Sequence, residues 1–197
     1  MVVPARRAQQ QKMGFSVQPN EWQCGPYALY HALMLLGVKA DVAKLTKVAR
    51  TRRDRGTNEL QLRRAARRYH CSLPQIRRLD PERARREMVE YLREGYPVLL
   101  CVDEWQHWVT VARWEAGKYI LLDSEEDAVF TVLTWGQLKR RWVYREPDEY
   151  DNEACHTLYD FYPLVPRFRV KARPQSFSPP GENPGAGAKS SFVAALG

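Results

Sequence analysis

A cysteine that opens a long apolar run is the first residue in this sequence whose type and position could do chemistry. Cys24 begins a stretch that predicts a helix to about Leu36, ending at Gly37. The start of a helix carries a partial positive charge and unpaired backbone N–H groups, so a cysteine there is placed to act as a thiolate nucleophile. A lone cysteine is more often a small buried thiol, so this interpretation depends on partners elsewhere in the chain.

A glutamine six residues before the cysteine supplies a candidate oxyanion hole. The side-chain amide of Gln18 and the backbone N–H of Cys24 are donors that could hold the negative charge developing on a substrate carbonyl oxygen. Gln23 competes for this role, although the immediate neighbour of a nucleophile usually projects away from its side chain.

The second half of the chain contains the histidine and the aspartate that such a nucleophile needs. The region is predicted to form three strands, at residues 97–102, 107–112 and 119–123, with a short turn at Gly117-Lys118 joining the last two. His107 begins one strand and Asp123 ends the next, so antiparallel pairing returns Asp123 to within a few residues of His107. A histidine oriented by a carboxylate and aimed at a cysteine is the general arrangement of an activated nucleophile. Asp103 and Asp127 are weaker candidates for the carboxylate.

The other histidines fit a catalytic role less well. Cys155 and His156 are adjacent, and adjacent residues of an extended chain point in opposite directions, so they do not easily form a catalytic pair. His31 lies far from the start of the predicted helix, and His70 lies at a helix end. We therefore interpret both as structural residues.

These residues together resemble a known family, the bacteriocin-processing (double-glycine) cysteine peptidases and their free-standing relatives, which have a papain-like fold. The matching positions are Gln18, the helix start Cys24-Gly25-Pro26, His107 with its apolar strand, and Asp123, with less specific matches at residues 56–60 and 94–98. The resemblance covers about residues 15 to 145, and the family spacing favours Gln18 over Gln23. One departure is Ser124, because the family usually has proline after the aspartate.

The resemblance implies an α+β, papain-like fold in which an N-terminal helical part carries the nucleophile helix and packs on a C-terminal antiparallel sheet. It implies a cysteine peptidase with Cys24, His107 and Asp123 as the triad and Gln18 in the oxyanion hole. The substrate would be a peptide or protein, cleaved after small residues such as glycine. Such a mechanism requires no metal and no organic cofactor.

Two other functions remain open. The same acyl-thioester could pass to an amine or a thiol, which would make the protein an acyltransferase or an amide-forming enzyme. The fold could also serve as a non-catalytic module that binds a peptide or a partner protein. The complete set Gln18, Cys24, His107 and Asp123 argues against the module, because binding alone does not need all four residues.

Composition predicts one folded domain with two polar ends. Residues 1–14 form a polar arm, residues 15–170 the peptidase domain, and residues 171–197 a flexible Pro-, Gly- and Ser-rich tail. The tail contains Gly185-Ala186-Gly187-Ala188 and ends at Gly197, so we hypothesise that it occupies the cleft in cis as a substrate mimic or self-processing segment.

Charge and hydropathy indicate the partners and the compartment. With 31 basic and 23 acidic residues the net charge is +8, which favours an acidic substrate or partner. The basic clusters at residues 63–68, 77–86 and 139–141 lack a recognised motif and interleaved aromatic residues, so a solvated basic face is expected rather than a nucleic-acid surface. The apolar stretch 28–38 is too short to span a bilayer, no signal peptide is evident, and the four cysteines show no disulfide or zinc spacing. A cytoplasmic location is expected.

Local signals complete the predicted secondary structure. Capping residues predict further helices that start at Asp41, at about Asn58, at Asp80-Pro81 and at Thr134. An acidic loop is expected at 145–153 and a last strand at 157–165.

Overall fold

The computed structural model describes residues 14–147 and 155–167. All but the last residue of the predicted N-terminal arm, the tail 171–197 and its hypothesised contact with the cleft lie outside the described residues. Residues 148–154 of the predicted acidic loop lie outside them as well.

The helices begin where capping residues predict them. A short 3-10 turn, Glu21–Gln23, leads directly into the first helix. The helices are α1 (Cys24–Leu35), α2 (Val42–Ala49), α3 (Glu59–Arg68), α4 (Pro81–Arg93) and α5 (Trp135–Arg141). Each of the last four is preceded by a residue whose side-chain oxygen accepts a hydrogen bond from a backbone N–H of the first turn: Asp41, Asn58, Asp80 and Thr134.

The strands form an antiparallel sheet and a small separate ladder. They are β1 (Cys71–Ser72), β2 (Ile76–Arg78), β3 (Val98–Val102), β4 (His107–Glu115), β5 (Lys118–Leu122), β6 (Phe130–Thr134), β7 (Tyr144–Pro147), β8 (Cys155–Pro163) and β9 (Val165–Pro166). Within the described ranges the main sheet has the order β2-β8-β3-β4-β5-β6, with β7 also pairing with β8, and β1 pairs with β9.

The sheet lies between two helical layers, and β3 shows how the layers are built. Successive side chains of a strand point to opposite faces. Leu99 and Cys101 pack in a core with α1, α2 and α3, whereas Val98 and Leu100 pack in a second core with α4 and α5. All five β3 residues are buried, which explains their continuous apolar run. The predicted α+β class, with the nucleophile helix packed on an antiparallel sheet, is confirmed.

Two local predictions are wrong. The turn between β4 and β5 is Ala116-Gly117, one residue earlier than predicted, and both residues have the positive φ, 48° and 77°, typical of a two-residue hairpin turn. Residues 145–147 belong to β7 instead of a loop, because they pair with the start of β8. The strand β6 is not predicted either, since its half-exposed edge position leaves a mixed pattern.

Candidate active site

The candidate nucleophile begins the helix that runs through the protein interior. Cys24 is the first residue of α1 and is 5% exposed. Its neighbours along the helix are buried on nearly all sides as far as Leu33, as expected of a helix that is apolar all round. The start of a helix carries a partial positive charge, which favours a thiolate at this position.

A close contact with the loop before α3 explains the glycine that follows Cys24. A Cβ atom at Gly25 would lie 2.9 Å from the Cβ atom of Thr57, which is too close without movement of the chain. Thr57 is held in turn by Trp108, whose indole N–H donates to the Thr57 carbonyl oxygen at 2.8 Å. Thr57 therefore spaces the nucleophile helix from the strand that begins at His107.

A second contact fixes α1 against the same strand. The Thr110 hydroxyl donates a 2.7 Å hydrogen bond to the carbonyl oxygen of Ala28, and both groups are buried. Ala28 lies about one turn after Cys24 on α1, and Thr110 lies three residues after His107 on β4. The relative position of the cysteine and the histidine is thus set by packing on both elements.

His107 and Asp123 lie together, as antiparallel pairing of β4 and β5 predicts. Asp123 directly follows β5, whose Leu122 pairs with Thr110. The His107 Nε2 and the Asp123 Oδ1 are 2.7 Å apart, a distance typical of a charge-assisted hydrogen bond. Their side chains are only 8% and 2% exposed, so this bond is shielded from water.

The ring of His107 is also linked to the thiol. Burial disfavours the charged ring, but hydrogen bonds to the Asp123 and Cys24 side chains, and the charges of these groups, outweigh it and raise the pKa of His107 to about 10. Because Asp123 engages Nε2, Nδ1 is the ring nitrogen left for a second partner. The arrangement stabilises an imidazolium next to a cysteine.

The buried carboxylate of Asp123 uses both of its oxygens. Oδ1 accepts from His107 and, at 3.2 Å, from the backbone N–H of Glu125. Oδ2 accepts from the two terminal nitrogens of Arg141, at 3.3 and 3.2 Å. Burial alone would raise the pKa of Asp123, but His107, Arg141 and the Glu125 N–H together lower it, so the ionised form is favoured.

The turn that leads into His107 has an unusual backbone. Asp103, Glu104 and Trp105 are consecutive non-glycine residues with φ of 55°, 55° and 62°, a region that costs an L-residue roughly 1–2 kcal/mol. Contacts from the region after β6 hold this left-handed turn, which we define as residues 103–105. Trp105 stacks on Tyr144 with ring centroids 4.1 Å apart, and Glu104 pairs with Arg145 at 3.4 Å.

Gln18 is anchored to the residue that follows Asp123. The Ser124 hydroxyl donates to the Gln18 Oε1 at 2.7 Å, and the Gln18 backbone N–H donates to the Ser124 carbonyl oxygen at 2.8 Å. Because the carboxamide oxygen is engaged, the Gln18 NH₂ group is the end that can serve a substrate. A proline in place of Ser124 could not make the side-chain bond, which gives this departure from the family pattern a physical reason.

The competing residues have other contacts. The Gln23 side-chain amide donates to the Thr46 hydroxyl of α2 at 3.4 Å. Asp103 pairs with Arg141 at 2.7 Å, and Asp127 is exposed. His31 is fully buried and accepts a hydrogen bond from a backbone N–H. The side chains of Cys155 and His156 lie outside the described part of the chain.

A second carboxylate lies on the other side of the His107 ring. The Glu125 Oε2 is 3.4 Å from Nδ1, and the Glu125 side chain is 56% exposed. The ring is therefore flanked by a buried carboxylate at Nε2 and a solvated one at Nδ1.

Sequence reasoning missed Ser124 and Arg141 as members of the site. Ser124 carried a signal, because it is the position where the chain departs from the family pattern. Arg141 carried none, since it ends the basic run Lys139-Arg140-Arg141, which we expected to be part of a solvated face. That expectation is wrong for Arg141, whose guanidinium binds two carboxylates.

Three solved structures illustrate what the chain is similar to. The peptidase domain of Streptococcus ComA, a bifunctional ABC transporter involved in quorum sensing, has a TM-score of 0.58 and 18% identity, over 77% of this chain and 96% of that one. A double-glycine motif protease from an AMS/PCAT transporter, in complex with the leader peptide, has a TM-score of 0.55 and 17% identity, over 76% of this chain and 89% of that one. A C39-like peptidase from Bacillus anthracis has a TM-score of 0.50 and 12% identity, over 76% of this chain and 92% of that one.

The protein has the fold of the double-glycine, C39-type cysteine peptidase domains. At these identities the likeness concerns the fold, and the chain spans nearly the whole length of each compared domain. No protein-family model matches the sequence, and no curated protein matches it at the sequence level.

Two further properties of the described residues concern membrane-spanning helices and a cleft on the surface. Among the described helices, none is long and apolar enough to cross a membrane. A cleft of about 470 Å³ lies apart from the candidate triad and is lined by Ser72, Leu73, Pro74, Gln75 and three arginines, Arg63, Arg67 and Arg167. The basic surface predicted from the sequence is therefore partly concave.

Proposed function

We propose that this protein is a cysteine peptidase in which Cys24 is the nucleophile, His107 the general base and acid, and Asp123 the residue that orients His107. The observation that carries the proposal is the 2.7 Å hydrogen bond between His107 and the buried Asp123, beside a cysteine that begins a helix and contributes to the raised pKa of His107. That combination favours an ion pair of imidazolium and thiolate.

The proposed reaction proceeds through a thioester. His107 takes the proton of the Cys24 thiol, and the sulfur attacks the peptide carbonyl carbon. The oxyanion is held by the Gln18 NH₂ group and the Cys24 N–H, and His107 gives its proton to the leaving amine as the C–N bond breaks. Water, deprotonated by His107, then attacks the thioester, which releases the carboxylic acid and regenerates Cys24.

The proposed substrate is a peptide segment with small residues before the cleaved bond. The support is the likeness to a double-glycine motif protease that was solved with a leader peptide, together with the resemblance of the sequence to that family. The positive net charge of +8 favours an acidic peptide at low salt.

The first test is labelling of the whole chain with iodoacetamide across a pH series, with the modified cysteines located by mass spectrometry. Cys101 is a built-in control, because it is 6% exposed against 5% for Cys24, and burial raises its pKa well above the ordinary range. We expect Cys24 to react fast at pH 6, Cys101 to react slowly, and His107→Ala to slow the labelling of Cys24 to the rate of an ordinary thiol. Equal, slow labelling of both would contradict the proposal.

Hydrolysis requires more than a reactive thiol. Gln18→Ala should leave the labelling of Cys24 intact but reduce cleavage of a Gly-Gly-containing peptide by roughly a hundredfold or more, because one oxyanion donor is lost. Gln23→Ala is the matched control, since its amide contacts Thr46. Equal rates for the two variants would refute the role of Gln18.

A further inference from the structure

Arg141 ends α5 and connects two parts of the site that are far apart in sequence. Its terminal nitrogens donate to the Asp123 Oδ2 at 3.3 and 3.2 Å. Its NH2 and Nε groups donate to the carboxylate of Asp103 at 2.7 and 3.1 Å. In addition, the Arg141 carbonyl oxygen accepts from the Asp103 backbone N–H at 2.7 Å. The guanidinium group thus bridges the carboxylates of Asp123 and Asp103.

Each carboxylate is attached to one partner of the His107–Asp123 bond. Asp123 is the acceptor itself, and its Oδ1 is already occupied by His107 and the Glu125 N–H, so Arg141 serves Oδ2. Asp103 begins the left-handed turn 103–105, and His107 follows this turn by two residues. A backbone of this kind persists only where surrounding contacts hold it.

We propose that Arg141 is a positioning residue of the candidate site. Because it binds both Asp123 and the turn 103–105, it fixes the donor and the acceptor of the His107–Asp123 hydrogen bond relative to one another. This inference rests on the proposed function. It assigns a role in the site to a residue outside the Gln–Cys–His–Asp set.

The charge of Arg141 also matters for Asp123. A carboxylate that is 1% exposed needs a compensating partner to stay ionised. The groups that interact with Asp123 are His107 from β4, Arg141 from α5 with Asp103 behind it, Glu125 from its own loop, and, through charge alone, His31 from α1. Removing the cation leaves Asp123 to be compensated by His107 and the Glu125 N–H, so Asp123 should take up a proton at a higher pH.

The chain offers matched controls for this role. Arg145 contacts the same turn through Glu104, but no hydrogen bond or ion pair joins it to Asp123 within the described residues. Arg140 is the exposed neighbour of Arg141 on α5 and carries the same charge. Arg145→Gln therefore tests the turn alone, and Arg140→Gln tests the loss of one positive charge from the same helix.

The experiment measures the rate of Cys24 labelling by iodoacetamide from pH 4 to 9 in the wild type, Arg141→Gln, Arg141→Lys and the two controls, with circular dichroism as a check of folding. We expect Arg141→Gln to lower the rate at pH 6 by about tenfold, and to move the acid limb of the profile upward by about one pH unit. The labelling rate of Arg141→Lys should lie between those of the wild type and Arg141→Gln, because an ammonium keeps the charge but lacks the planar guanidinium geometry. Arg140→Gln should stay within about twofold of the wild type. Arg145→Gln, which removes a contact of the turn alone, should lower the rate less than Arg141→Gln and leave the acid limb in place.

The outcomes separate this inference from the proposed function. If the wild-type Cys24 reacts no faster than Cys101, the proposed function fails. If the wild type is reactive and a folded Arg141→Gln has the rate and acid limb of Arg140→Gln, the positioning role is refuted. If Arg141→Gln does not fold, the test uses Arg141→Lys instead. A pH profile of Cys24 labelling equal to that of the wild type would refute the positioning role, and an acid limb shifted to higher pH would support it.

Discussion

His31 and His107 are buried histidines whose pKa values are shifted in opposite directions. His31 is fully buried, and burial lowers its pKa to about 4. Its Nε2 accepts from the Ser16 N–H at 3.2 Å, and its ring packs edge-on against Phe15 and Tyr27. Apolar rings and a backbone donor do not compensate a positive charge, and the charge of Asp123 offsets the effect of burial only in part, so the neutral ring is favoured.

His107 is almost as buried, at 6% exposure, but the pKa of this ring is raised to about 10. The difference lies in what the ring faces: a buried carboxylate at 2.7 Å, a solvated one at 3.4 Å, and a thiol. Burial to a similar extent therefore gives a neutral histidine or a charged one, depending on its partners. It follows that the candidate site is defined by Asp123 as much as by His107.

The largest effect should come from removing that carboxylate. Asp123→Ala leaves His107 without its orienting acceptor, and the labelling of Cys24 at pH 6 should slow by roughly a few hundredfold, toward the rate of an ordinary thiol. Asp123→Asn should retain much more, because an amide oxygen still accepts the ring N–H, as in Cys-His-Asn enzymes. Asp127→Ala removes an exposed carboxylate of the same loop and should have no effect. Equal rates for the two alanine variants would contradict the comparison.

The next effect concerns stability in acid. The folded pKa of His31, about 4, lies below the ordinary value of 6.5, so its contribution is fully present above pH 6.5 and is lost as the pH falls toward 4. The shift corresponds to about 3 kcal/mol. His31→Gln keeps an acceptor for the Ser16 N–H, and should flatten the free energy of unfolding between pH 6.5 and 4. Urea titrations at pH 7, 5.5 and 4.5 measure the free energy of unfolding. The same dependence of this free energy on pH in His31→Gln and the wild type would contradict the prediction.

His107 should give a dependence of the opposite sign. Its folded pKa of about 10 lies above 6.5, so its contribution is fully present below pH 6.5 and is lost as the pH rises through about 10. We expect a smaller change than for His31, because His107 shares its proton with Cys24. In urea titrations from pH 6.5 to 10, the free energy of unfolding of His107→Gln should decline less with pH than that of the wild type. The decline for His31→Gln should equal that of the wild type.

The sequence allowed the helices and the triad candidates to be predicted because their signals are local. Side-chain caps such as Asp80 and Thr134 mark helix starts, and a hairpin with a short turn returns Asp123 to His107 whatever the rest of the fold does. Ser124 and Arg141 act through contacts that span 106 and 18 residues. Nothing local in the basic run at the end of α5 separates Arg141 from Arg140, because only tertiary packing brings one of them to Asp123.

The smallest predicted effect belongs to the second carboxylate at the His107 ring. Glu125 is 56% exposed, and ion pairs of exposed side chains contribute little and are screened by salt. Glu125→Gln should therefore change the labelling rate of Cys24 by less than about fivefold, and the change should vanish in about 1 M salt. The effect of Asp123→Ala should persist at that salt concentration, since the buried bond is shielded from mobile ions. A Glu125→Gln effect as large and as salt-resistant as that of Asp123→Ala would mean that proximity to the ring matters more than burial, and the contrast between the two carboxylates would fail.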